Sequence, residues 1–256
     1  MNQNELIKKI KKKKELKNIA NSYVETEIAS VLKQNPKFEE PKKEKILIKD
    51  VRSRLRPIFG IFQMKLNKRE AALEQDDFLT ILKTHASTKE RLQIYPQLYS
   101  EIFAITKKPK SILDLGCGMN PFSFPFMNLK TVKYIASDIS DSDLDFINRY
   151  FIKHDLPSET QTIDLRKPEE SFKLKADICF MFKLLDSVET KGHKLAEEII
   201  TNLSCKWIVA SFAKKGIKGT PMNHTYRGWI ERMLDRINLK YWKLDYPDEI
   251  FYIIKK

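Results

Sequence analysis

The stretch "SILDLGCGMNPFSF", residues 111–124, carries a short apolar run into an acid, then Gly-x-Gly, then Asn-Pro. The run reads as a buried strand over 111–116 that ends on a sharp turn of small residues. In an open parallel sheet, ligands bind beyond the carboxyl ends of the strands. Gly116 and Gly118 let the backbone come close to such a ligand, in conformations other residues avoid. Asp114, at the strand's end, either fixes the turn or accepts from an ammonium group. A dinucleotide site asks for a third glycine at position 121, which is proline here. A pyrophosphate cradle is therefore disfavoured, and no Walker loop is present.

Outward from this stretch, short apolar runs alternate with helical ones. The runs are "VKYIASDI" (132–139), "TQTIDL" (160–165), "ADICFMF" (176–182), "KWIVASF" (206–212), "YWKLDY" (241–246) and "IFYIIK" (250–255). Between them lie "DSDLDFINRYFIKH", "GHKLAEEIITNL" and "YRGWIERMLDRIN". The alternation predicts an α/β fold, a mostly parallel sheet with helices on both faces. The last two runs have no helix between them and read as an antiparallel hairpin. That ending is the pattern of class I S-adenosylmethionine-dependent methyltransferases, Rossmann-like with a seven-stranded sheet. The second strand ends on Asp138, where an acid can accept both ribose hydroxyls of an adenosyl group. The third brings Asp164, placed for the adenine amino group. Taken singly, Gly-x-Gly is a tight turn and each acid an exposed strand end. Their joint spacing makes a site for S-adenosylmethionine.

The first hundred residues read as helical. Leu6, Ile7, Ile10, Leu16, Ile19, Tyr23, Ile28 and Leu32 fall near helical spacing, with lysines between. "NPKFEEPKKEK" is a break, and helix resumes in "ILIKDVRSRLRPIFGIFQ", interrupted near Pro57 and Gly60. "NKREAALEQDDFLTILKTH" and "STKERLQIYPQLYSEIFAIT" continue it, with Ser87 or Thr88 able to cap the second. The formal net charge is +13, and more than half of the excess lies in residues 1–60, where 16 Lys and Arg face 8 Asp and Glu. Such a balance points to an anionic partner, nucleic acid or an anionic membrane surface. No apolar run reaches the roughly 20 residues of a membrane span. The N-terminus has no apolar core region, so no secretory signal is expected. Cys117, Cys179 and Cys205 lack metal or CxxC spacing and read as reduced thiols of a cytoplasmic protein. His154, His193 and His224 share no ligand spacing, so no metal is expected.

Several stretches together resemble one family, the 16S rRNA (guanine(1405)-N(7))-methyltransferases that confer aminoglycoside resistance. They are "HASTKERL" (85–92), "LDLGCGMNP" (113–121), "FKLLDSVE" (182–189), "VASFAKKGIKG" (209–219), "HTYRGW" (224–229) and "EIFYIIKK" (249–256). "VRSRLRPIFGIF" (51–62) is similar to the family's N-terminal domain. The chain departs from the pattern at Asp186 and Ala213, where the family has proline. The resemblance implies a helical, basic rRNA-binding domain over residues 1–106 and a methyltransferase domain over 107–256. It implies that Arg91 holds the methionine carboxylate of the cofactor, its planar fork suiting a carboxylate. His85, Ala86 and Ser87 would line the same pocket, with Phe62 reaching in. Gly116 and Asp138 would bind the methionine and ribose portions. Ile163, Asp164 and Leu165 would surround the adenine, and Phe182 would flank the cofactor. Lys183, Glu189 and Glu249 would stand at the target base.

The implied substrate is helix 44 of the 30S subunit, bound by a monomer. Lys11, Lys12, Lys13, Lys14, Arg52, Arg54 and Arg56 can form one phosphate-binding face, and Lys214, Lys215 and Lys218 another. A neighbouring rRNA nucleotide modified in a housekeeping role is one alternative. A small-molecule methyltransferase is another, and the basic helical N-terminus argues against it. A non-catalytic RNA-binding factor is a third, and the Arg91, Asp114, Gly116 and Asp138 set argues against that.

Overall fold

The computed structural model describes residues 2–188, 192–216 and 227–256, and of Ile61 the backbone alone. Asp114 is the penultimate residue of β1 (Ser111–Leu115), and Gly-x-Gly follows directly on the strand. The other strands are β2 (Lys133–Asp138), β3 (Ser158–Thr162), β4 (Lys175–Phe182), β5 (Ser204–Ala213), β6 (Lys240–Asp245) and β7 (Glu249–Lys255). They form one seven-stranded sheet in the order β3-β2-β1-β4-β5-β7-β6. β1 pairs in parallel with both β2 and β4, so the strand order reverses beside it, where open sheets leave a crevice. β7 inserts antiparallel between β5 and β6, as the hairpin reading expected. β1 and β4 are buried almost throughout, the signature of strands covered on both faces.

In chain order the helices are α1 (Gln3–Lys11), α2 (Asn21–Gln34), α3 (Glu44–Ile58), α4 (Arg69–Glu74), α5 (Phe78–Leu82), α6 (Ala86–Arg91) and α7 (Tyr95–Thr106). They continue with α8 (Asp141–Lys153), α9 (Glu169–Phe172), α10 (Leu185–Val188), α11 (Lys194–Asn202) and α12 (Gly228–Arg236). The α8 start follows from its sequence: Ser140 Oγ accepts from the Asp143 N–H at 3.3 Å, and Asp141 and Asp143 lie in the positive first turn. After the glycine turn, "NPFSFPFM" (120–127) winds as 3₁₀ helix, its two prolines denying a regular α ladder. α6 starts at Ala86 with His85 before it. Ser87 and Thr88 are therefore inside the helix and not its cap; the Thr88 hydroxyl instead donates to the Leu82 and His85 carbonyls.

Packing divides the chain earlier than residue 106. Leu6, Ile10, Val24, Val51, Leu55 and Phe59 belong to one apolar cluster made by α1–α3. Ala72, Leu82, Tyr95, Leu98 and Ile102 pack instead with Phe180, Val209 and Phe251 on one face of the sheet. A second cluster on the opposite face joins Leu113, Cys179 and Ile208 to Ile199 of α11 and Ile230 of α12. The break in packing falls near residue 60, so α4–α7 are part of the sheet's own core. Helical periodicity marks an apolar face; it does not say which core covers that face.

Candidate active site

Beyond the carboxyl ends of β1, β2 and β4 lies a cavity that opens to solvent, with about 700 Å³ of empty space counted out to its mouth. Gly116, Gly118, Asp138, Ile163, Leu165, Phe182 and Lys183 line it from the sheet side, with Ser87 from α6 and His85 just before that helix. Tyr23, Ile58, Phe59 and Phe62 close it from the N-terminal helices. Both glycines are left-handed, φ 60° and 50°. A Cβ on Gly116 would stand 2.5 Å from the Leu184 side chain, and one on Gly118 2.8 Å from the His85 ring. Both turns thus need glycine twice over, for conformation and for space.

Asp138 faces the cavity with its carboxylate already oriented. Gly118 N–H donates to Oδ2 at 2.9 Å and Ile139 N–H to Oδ1 at 2.7 Å. Burial, and then the Asp143 carboxylate, push its carboxyl up to about 6. Asp114 does not line the cavity. Its Oδ2 accepts from Asn120 Nδ2 at 2.9 Å and from the Tyr134 hydroxyl at 2.6 Å, and burial pushes it up to about 6. Asn120 belongs to the turn, so of the two roles open to Asp114 the structure gives it the first, fixing the turn.

His85 stacks on Phe62 with centroids 5.5 Å apart. Burial, reinforced by Arg69, Arg91 and Lys183, holds its imidazole down to about 3, so the ring is neutral at physiological pH. Arg91 is buried. Arg91 Nε donates to both Glu249 oxygens, at 3.0 and 2.9 Å, and its guanidinium lies 4.8 Å from the Phe182 centroid. Lys183, held left-handed at φ 55°, pairs with Glu90 and reaches Glu249 at 3.3 Å. The Ser211 hydroxyl also donates to Glu249. Two buried polar nitrogens here have no hydrogen-bond partner: Arg91 Nη2 and His85 Nδ1. An unpaired buried donor of a cation is costly, and such groups call for a ligand.

Several sequence expectations meet a different arrangement. Glu249 is on β7 but not in the cavity wall; its carboxylate is engaged by Arg91, Ser211 and Lys183. Asp164 lies two residues past the end of β3, and Arg166 takes its carboxylate through Nε and Nη2 at 2.9 and 2.7 Å. Ile163 and Leu165, its neighbours, line the cavity without it. Ala86 is buried at the start of α6. Arg52 donates to the Lys9 and Ile10 carbonyls, Arg54 pairs with Glu27 and Asp50, and Arg56 with Glu15. These three arginines hold the helical cluster together. Lys12, Lys13 and Lys14 are exposed, while Lys11 donates to Asn21. Lys214 and Lys215 pair with Asp245 and Asp248. Glu189 and Lys218 lie outside the described residues. Sequence reasoning missed Tyr23, Phe59, Gln63 and Asp143 as wall residues; nothing local marks them, since each is defined by a partner distant in the chain.

The sequence profile of the ribosomal RNA methyltransferase (FmrO) family matches residues 71–253. The chain belongs to this family. Proteins similar to it include a 16S rRNA (guanine(1405)-N(7))-methyltransferase of Micromonospora rosea, 30% identical over 68% of this chain and 64% of that one. One of Serratia marcescens is 28% identical over 84% of this chain and 85% of its own. The match thus spans less than two thirds of the Micromonospora relative. In three dimensions the 16S rRNA methylase RmtB covers the whole chain with a TM-score of 0.81 at 24% identity, this chain covering 99% of it. The 16S rRNA methyltransferase RmtF, solved with S-adenosyl-L-homocysteine, gives 0.80 at 20% over 99% of this chain and 98% of its own. These likenesses establish a shared class I methyltransferase fold.

The residues present fit an S-adenosyl group. A neutral histidine and an arginine each offer an unpaired buried nitrogen, Asp138 retains lone pairs on both oxygens, and two glycines open the turn between them. Among the described residues, no group of three His, Cys, Asp or Glu side chains could hold a metal ion, and no helix is long and apolar enough to cross a membrane.

Proposed function

We propose that this protein methylates N7 of guanine 1405 in helix 44 of 16S rRNA, using S-adenosylmethionine, and so confers aminoglycoside resistance. The observation that carries the reading is the walled cavity at the sheet's reversal point, lined by Asp138, Gly116, Gly118, His85 and Lys183, with Lys183 in contact with the buried Arg91–Glu249 pair outside the wall. Membership of the family, and the activity named for the similar Micromonospora and Serratia proteins, support the substrate. Asp138 would take the ribose hydroxyls, Ile163 and Leu165 the adenine, and Arg91 Nη2 the methionine carboxylate, with His85, Ser87, Phe62 and Phe182 packed round it. Bound there, the cofactor supplies a methyl group activated by its sulfonium.

Guanine N7 has a lone pair and no proton to lose, so the chain needs no general base. That agrees with a site whose His85, held down to about 3, is too weak a base to take a proton, and whose Asp138 and Asp143 are engaged by backbone N–H groups and by Arg69. Catalysis rests on positioning and on a preset electrostatic field. Arg91 and Lys183 are balanced by Glu249 and Glu90, so the group is close to neutral and does not repel a base gaining positive charge. Lys183 lines the cavity wall and would meet a base oxygen or phosphate of the incoming nucleotide. N7 lies in the major groove, which is deep and narrow in A-form RNA, so the base must leave its stack at a cost of a few kcal/mol. Phosphate contacts by the exposed Lys12, Lys13 and Lys14 offset that cost. The protein works as a cytoplasmic monomer on the 30S subunit. Expression in a susceptible host tests the reading: growth on kanamycin and gentamicin supports it, and unchanged sensitivity with soluble protein present contradicts it.

A further inference from the structure

Arg69 is a buried arginine that the reading above does not use. Its Nη1 donates to Asp143 Oδ1 at 2.6 Å, its Nε to the Thr84 hydroxyl at 2.8 Å and its Nη2 to Gln63 Oε1 at 3.0 Å. Gln63 Nε2 donates to the other carboxylate oxygen, Asp143 Oδ2, at 3.0 Å. Gln63 and Asp143 both line the cavity, and the Arg69 and Asp143 side chains are 6% and 2% exposed. Asp143, in the first turn of α8, therefore shares a wall with Asp138, the last residue of β2.

We propose that Arg69, bridged by Gln63, is a positioning residue that keeps Asp143 compensated so that Asp138 can carry the charge that accepts the ribose hydroxyls. This rests on the S-adenosylmethionine reading of the cavity. Two carboxylates in one buried wall resist joint ionisation unless a cation answers one of them. The Arg69 fork does so through a single geometry, and Gln63 satisfies the oxygen the guanidinium does not reach. Other titratable groups near Asp138 are the Cys117 thiol and the Tyr23 phenol, both pushed up by burial and so neutral near pH 6, His85 beyond Gly118, held neutral, and Asp114 on the neighbouring strand, pushed up to about 6 by burial and unchanged by either substitution below. With Asp138 itself pushed up to about 6, first by burial and then by Asp143, loss of Arg69 moves its ionisation further up, toward neutral pH.

Titration calorimetry across about pH 5 to 8 tests this with 5′-methylthioadenosine, which carries the ribose hydroxyls but no amine or carboxylate that titrates there. Wild-type affinity is expected to be level above about pH 6 and to fall roughly tenfold per unit below it. Arg69→Met should move that midpoint up by about one unit, and Arg69→Met with Asp143→Asn should bring it back to or below the wild-type position. Asp143→Asn alone should lower it, which decides the matter even if Arg69→Met does not fold. A midpoint unmoved by Asp143→Asn, or an Arg69→Met loss equal at every pH, overturns the proposal and leaves the cofactor reading standing. Wild-type protein that binds neither this nucleoside nor S-adenosylhomocysteine at any pH overturns both.

Discussion

The Arg166 guanidinium carbon lies 3.5 Å from the centroid of the Tyr23 ring. The same guanidinium pairs with Asp164 beside β3 and with Glu27 on α2, and donates to the Tyr23 carbonyl at 3.2 Å. One side chain thus clasps the N-terminal helices to the sheet at the end of the cavity walled by Ile163, Leu165 and Tyr23. A desolvated cation–ring contact is worth about 2 kcal/mol.

Arg166→Ala should therefore loosen the helical layer over the cavity. The expected result is a fall of about tenfold in S-adenosylhomocysteine affinity and faster proteolysis within residues 1–60. Equal affinity and equal proteolysis would mean that the clasp does not seat the helices.

Gly118→Ala places a Cβ 2.8 Å from a buried ring at φ 50°, so His85 or the turn must shift. Cofactor affinity should drop at least tenfold, with a stability loss of about 1–2 kcal/mol. Gly192→Ala is the control. Gly192 is also left-handed, at φ 77°, but has nothing within 4 Å. It should lose a similar amount of stability and bind the cofactor normally. Calorimetry and thermal melts on the two variants separate space from strain.

Asp114 is raised to about 6 by burial. A carboxyl raised in the folded state contributes stability that is full below its unfolded value near 4 and is lost as pH rises through the folded value. Relative to Asp114→Asn, wild-type protein should lose about 2 kcal/mol between pH 4 and pH 7. Paired denaturation curves at the two pH values measure this difference. An unchanged gap would place the ionised carboxylate in a better environment than Asn120 and Tyr134 provide.

The basic residues divide by what they already touch. Lys12, Lys13 and Lys14→Ala should weaken 30S binding and flatten its salt dependence, reducing the log–log slope by up to about 2. Arg56→Ala, which opens a partly exposed pair with Glu15, should cost under about 1 kcal/mol of stability and leave the slope alone. Binding measured at several salt concentrations distinguishes the two.

Much of the sheet was legible because period-2 and period-3.6 runs alternate cleanly after residue 110, and the acid and Gly-x-Gly fall where strand order reverses. The site was legible in its local parts: Gly116, Gly118, Asp138, Ile163, Leu165 and Phe182 all reach the cavity. What failed was whatever depends on a distant partner. Asp164 reads as a free strand-end acid until Arg166 and Glu27 are brought beside it. Arg52, Arg54 and Arg56 read as phosphate ligands by charge alone, and only the packing of α1 and α2 against α3 shows them engaged. Glu249 reads as a base-facing acid, yet Arg91, 158 residues away, holds both its oxygens.

Borohydride–aniline cleavage of 16S rRNA, which breaks the chain at 7-methylguanosine, tests the central claim most directly. Isolated 30S subunits incubated with the protein and S-adenosylmethionine should acquire a single new cleavage at guanine 1405, absent when the cofactor is withheld. Subunits that gain no methyl group, or gain one at another nucleotide, contradict the account.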